Sequence, residues 1–125
     1  MSDDANENER EEVTGAVRDE TTEDKNEAMR EDPDVLDELF AVIEDRRDHL
    51  PEGSYTTSLF THEKGENAVL EKLGEETTEL ILAAKDHDDD ALTHEAADIV
   101  YHLLVLLAMR GVSLEELRDE LRDRR

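Results

Sequence analysis

The run Ala96–Met109, AADIVYHLLVLLAM, constrains this chain most. Apolar residues fall on every side of a helix drawn through it, the pattern of a helix buried all round. Asp98 is its one acid. An ionised carboxylate buried without a partner costs roughly several kcal/mol in effective terms. Something must therefore compensate Asp98. Upstream stand Glu75-Glu76-Thr77-Thr78-Glu79, then a polar break, His87-Asp88-Asp89-Asp90, and then Glu95-Ala96-Ala97-Asp98. The pattern predicts two antiparallel helices joined by that break.

With the first helix ending near Lys85, Glu79 and Glu76 lie roughly 9 and 13.5 Å before the turn at the helical rise. With the second starting near Asp90, Glu95 and Asp98 lie roughly 7.5 and 12 Å after it. The two pairs therefore face each other, and within each pair the i,i+3 spacing puts both side chains on one face. Four hard oxygen donors suit Mg²⁺, or Mn²⁺, rather than zinc. About a third of the chain is Asp or Glu, so the spacing alone arises easily by chance. The burial conflict gives it weight. Glu76 shares that conflict, at the edge of an apolar stripe of Val69, Leu70, Leu73, Thr77, Leu80, Ile81 and Ala84.

The remaining chain reads as further helices. Residues 1–31 hold twelve acids against four bases and almost no apolar groups, the composition of a disordered tail. Residues 32–125 form the single domain. Asp32-Pro33 suggests a capped helix start, and Val35, Leu36, Leu39, Phe40 and Ile43 give a helical stripe ending near Arg47. Residues 48–65 lack a helical period and are expected as a loop, with at most a short extended piece near Tyr55–Phe60. Asp89 or Asp90 is expected to cap the later helix, and Gly111 to end it. Ser113 and Glu116 form a capping box for a last helix running to about Arg124. The expected class is all-α, a small four-helix bundle. The all-round apolar helix would leave one side wet in a single layer, which predicts a homodimer sharing it.

The net charge of −23 argues against nucleic-acid binding through a basic surface. With only four lysines, it suits a cytoplasm of very high salt. No cysteine is present, which excludes disulfides, zinc-thiolate sites and a thiol nucleophile. No signal peptide or membrane-length apolar run is read, so a cytoplasmic location is expected.

A carboxylate-bound Mg²⁺ most often serves phosphate chemistry with water as nucleophile. Lys72, one turn before Glu76, lies on the metal face. Lys64, Arg46 and the hydroxyl-rich Ser54, Tyr55 and Thr56 are further candidates for phosphate oxygens. His94, Asp98 and His102 follow at i,i+4, so His102 could orient Asp98 or a water, or simply fill the core.

The acidic pairs resemble the EExxE…ExxD signature of the MazG-like all-α nucleotide pyrophosphohydrolases. More narrowly, VLDELFAVIEDRR, LPEGSYTTSLF, VLEKLGEETTELILAAK and HEAADIVYHLLVLLAMRGVSLEEL are similar to the phosphoribosyl-ATP pyrophosphatase family of histidine biosynthesis. The resemblance covers residues 35 to about 122. It departs at Thr77-Thr78, where small apolar residues are usual, and at His62-Glu63. It implies hydrolysis of 1-(5-phosphoribosyl)-ATP to phosphoribosyl-AMP and pyrophosphate. Glu76, Glu79, Glu95 and Asp98 would hold Mg²⁺, and Glu75 would be an alternative ligand or the base for water. Two other readings compete: a housecleaning nucleoside triphosphate pyrophosphohydrolase, and a non-enzymatic helical dimerisation module whose acids only solvate it.

Overall fold

The computed structural model describes residues 34–125, and every regular element among them is helical. The helices are α1 (Val35–His49), α2 (Tyr55–Phe60), α3 (Glu66–Lys85), α4 (Asp89–Arg110) and α5 (Leu114–Asp123). The all-α expectation holds. The acidic tail, residues 1–31, lies outside the described residues. The chain divides into two compact units, the division falling between Thr57 and Ser58, inside α2.

In the first unit, α1 is capped by Asp34, whose carboxylate accepts from the Asp37 backbone N–H at 2.9 Å. The cap therefore lies past Pro33, not at Asp32. Phe40 and Ile43, one turn apart, are its buried residues. The helix runs to His49, beyond the expected Arg47, and stops at Leu50, held in the left-handed region ahead of Pro51. Proline disfavours a helical residue before it, so the helix cannot continue.

The expected extended piece at Tyr55–Phe60 is instead a six-residue helix. Ser54 explains it: its Oγ accepts from the Thr57 N–H at 3.3 Å, an N-terminal cap that outweighs the β-branched threonines. Leu59 is buried.

The second unit is built on the α3–α4 hairpin. Arg110, at the end of α4, is hydrogen-bonded to Glu66 at the start of α3, so the helices run antiparallel over their full length. The turn between them is short and specified at every residue. His87 takes a left-handed conformation, φ 57°, and donates to the Ala84 carbonyl. The Asp88 N–H reaches back to the Ala83 carbonyl, completing a Schellman closure of α3. The Asp88 carboxylate then accepts from the Ala91 N–H at 3.0 Å and caps α4. The cap is thus Asp88, one residue before the expected pair, because the same residue ends one helix and starts the next. A left-handed conformation at a non-glycine costs about 1–2 kcal/mol, which these hydrogen bonds offset.

The buried face of α3 is Ala68, Val69, Glu76 and Ala83. Val69, Glu76 and Ala83 are seven residues apart, so Glu76 sits in the middle of that face and not at its edge. Leu70, Ile81 and Leu82, by contrast, are 43%, 53% and 57% exposed. Helix α4 buries Tyr101, His102, Leu104, Val105 and Ala108, while Val100 is exposed. By length and composition alone, α4 is apolar enough to cross a membrane, which corrects the expectation that no segment reaches that size. Its first three turns nevertheless carry Asp89, Asp90, Glu95 and Asp98. Gly111 ends α4 at φ 70°, and the Ser113–Glu116 capping box opens α5, both as expected.

Candidate active site

Glu76 and Glu79 on α3 face Glu95 and Asp98 on α4. The four act on one another electrostatically. Burial pushes Glu76 up to about 7; the charge of Asp98 adds to this, Lys72 pulls it back, and Glu95 and Glu79 raise it further. Glu95 is also raised, by burial first, then by the charges of Glu79 and Asp98; a carboxyl–carboxyl contact with Glu79 likewise favours its protonated form. One oxygen on each helix, Oε1 of Glu76 and Oε1 of Glu95, is shielded from solvent without a hydrogen bond. Buried acceptors left in this state are expensive, and like charges gathered in a partly dry place compound the penalty.

Histidines flank the acids on the α4 side. His94 Nε2 lies 3.4 Å from Asp98 Oδ2. His102 Nδ1 lies 2.9 Å from the Asp98 carbonyl oxygen and 2.9 Å from Glu76 Oε1. The ring N–H is aligned on the carbonyl, so the Glu76 contact is a close approach without an aligned hydrogen bond. Burial lowers the pKa of His102, which favours the neutral ring.

The other sequence candidates separate. Lys72 Nζ lies 3.9 Å from Glu75 Oε1, and its charge reaches both Glu76 and His102. Glu75 is 68% exposed and stands at the surface beside Lys72. Lys64 is engaged at the surface by Glu71, at 3.1 Å. In the first unit, Arg46 pairs with Asp45 at 3.1 Å. Ser54 caps α2, Tyr55 is half-buried as the first residue of that helix, and Thr56 is buried. Sequence reasoning underrated His102, whose i,i+4 spacing to Asp98 was the available signal.

Among the described residues, no three His, Asp or Glu side chains are already drawn around one point. The chemistry nevertheless fits a divalent cation: hard oxygen donors from two facing helices, two orphaned buried carboxylate oxygens, and a mutual repulsion that bound positive charge would relieve.

Residues 36–125 match the family model described as phosphoribosyl-ATP pyrophosphohydrolase. The chain belongs to this family. It is 75% identical over 92 residues to the phosphoribosyl-ATP pyrophosphatase of Haloarcula marismortui, covering 74% of this chain and 94% of that protein. It is 76% identical over 92 residues to the protein of the same name from Natronomonas pharaonis, covering 74% and 91% respectively. To that of Methanocella arvoryzae it is 51% identical over 92 residues, covering 74% and 97%. The relatives of highest identity are mostly from halophilic archaea, in keeping with the acid-rich, lysine-poor composition.

Proposed function

We propose that Glu76, Glu79, Glu95 and Asp98 hold Mg²⁺, with Mn²⁺ as a substitute, and that this site serves the family's hydrolysis. The chain is a hydrolase that converts 1-(5-phosphoribosyl)-ATP and water to 1-(5-phosphoribosyl)-AMP and pyrophosphate, the second step of histidine biosynthesis. The observation that carries the site is the carboxylate set across α3 and α4, only partly offset by Lys72 and His94, with Glu76 buried within it. When bound, the cation neutralises the polyphosphate and polarises the attacked phosphorus. The protein's own groups do the rest. The α3–α4 hairpin fixes the four donors on two facing helices. Lys72 adds the positive charge that a triphosphate needs in a chain of net charge −23. In this reading Glu75, exposed beside Lys72, is an alternative ligand or the base that takes the proton of the attacking water.

We place the enzyme in the cytoplasm, as a homodimer acting on a small nucleotide and on neither nucleic acid nor membrane. The dimer is supported by the apolar surface that one chain leaves open, Leu70, Ile81 and Leu82 of α3 and Val100 of α4.

The deciding experiment incubates the protein at high salt with Mg²⁺ and, in turn, phosphoribosyl-ATP, ATP and dCTP, followed by pyrophosphate analysis. Turnover of phosphoribosyl-ATP far above the others is expected. Preference for ATP or dCTP would establish the housecleaning activity instead. No turnover of any of them, with intact helicity, would leave a binding module.

A further inference from the structure

His102 is 1% exposed, yet its ring is placed for more than filling space. Two acceptors lie 2.9 Å from Nδ1: the Asp98 carbonyl oxygen and Glu76 Oε1. Nδ1 therefore carries the ring's proton. On α4 the ring ties down the backbone of Asp98, the residue whose side chain faces the acids. On α3 it abuts the one member of the donor set that is itself buried. A leucine at this position would fill the volume but leave Glu76 without that polar neighbour.

We propose that His102 is a positioning residue that fixes the distance between Glu76 and Asp98, so that the acid pairs of α3 and α4 close on a single divalent cation. The assignment rests on the metal reading above. It gives His102 no contact with the reacting atoms. Groups that orient ligands in this way typically change metal affinity 10–100-fold, roughly, when removed.

The test compares two kinds of variant. His102→Asn keeps an N–H donor near the place of Nδ1 but shortens the side chain. His102→Leu keeps apolar volume without a donor, and His102→Met is a second donor-free variant should the leucine fail to fold. Mg²⁺ alone is titrated into each folded protein by calorimetry at high salt, with circular dichroism and melting temperature measured on the same samples. The expected result is a crossover. His102→Leu and His102→Met weaken Mg²⁺ binding roughly 10–100-fold. His102→Asn stays within about 3-fold of wild type, despite a lower melting temperature from the space it opens. In kinetics, the donor-free variants need more Mg²⁺ for half activation but approach wild-type kcat when it saturates. Affinity that instead follows melting temperature, with His102→Asn the worst, assigns a packing role and overturns the proposal. Wild-type affinity in the donor-free variants overturns it equally. Wild type and Asp98→Asn serve as controls. If wild type takes up no Mg²⁺, or Asp98→Asn takes up as much, the metal reading itself fails and this assignment falls with it.

Discussion

The α3–α4 hairpin brings carboxylates to α4 at two levels, and their fates differ. At the open end, Glu66 meets Arg110 in a two-point guanidinium contact that holds its carboxyl below the usual range. Nearly three turns further along α3, Glu76 meets other acids, and burial with Asp98 drives it up to about 7. The backbone, helix pairing and residue type are the same. Burial and the charge opposite are what differ. A closed ion pair at a water-exposed helix end is an ordinary surface device, whereas an uncompensated acid in the core keeps an affinity for something else.

The strongest way to break the comparison is Asp98→Asn. Asparagine keeps the shape and removes a charge that raises Glu76. Helicity should be retained and metal-free stability should hold or rise, because repulsion near a buried acid is relieved. Mg²⁺-dependent pyrophosphate release should fall about a thousandfold, since a metal supplies several kcal/mol of transition-state stabilisation. Near wild-type turnover by a folded Asp98→Asn protein would falsify the site.

Lys72→Ala should have a smaller effect, roughly a tenfold loss in kcat/KM for phosphoribosyl-ATP, as expected when one charge-assisted contact is removed. The fold should be unchanged by circular dichroism. Wild-type kinetics would leave Lys72 as a surface charge.

The pH dependence of metal-free stability separates the two levels. The folded pKa of Glu76 is raised, so its favourable contribution is complete below the ordinary carboxylate value of 4.5 and is lost as pH rises through about 7. His102, lowered by burial, acts oppositely, favouring the fold as pH rises towards its ordinary 6.5. Melting curves in chelator from pH 4.5 to 8 should therefore differ between wild type and Glu76→Gln. The fall should be smaller in the mutant, where Glu95 alone of the two raised acids remains, and added Mg²⁺ should reduce it in wild type. Parallel profiles would mean that Glu76 titrates normally.

The smallest effect is expected at the open end. Arg110→Ala breaks a solvent-screened pair, so melting temperature should stay within about 3 °C of wild type and turnover should be unaffected. A large loss in activity there would mean that the two ends are coupled.

Much of this was legible in the sequence, for reasons that differ residue by residue. Ser113-x-x-Glu116 and Gly111 announce their helix ends through local chemistry, and the structure keeps both. The level of Glu76 and Glu79 against Glu95 and Asp98 follows from helical rise and a short turn. The face of α3 was less legible. Leu70, Leu73 and Ile81 look like core by hydropathy, but burial selects Val69, Glu76 and Ala83. Periodicity shows that residues are apolar, not which surface covers them. The helix at Tyr55–Phe60 escaped because one hydrogen bond from Ser54 decides it, against the propensity of two threonines.

The three-residue turn has one more consequence, for the order in which the protein acquires its parts. The whole donor set, from Glu76 to Asp98, lies on one continuous stretch of chain, closed by Asp88. Helical hairpins with such short sequence separation have low contact order and form early and fast. If those acids hold Mg²⁺ as proposed, the ion's site would form with the hairpin itself, and binding there would favour the folded chain as well as serve the finished enzyme.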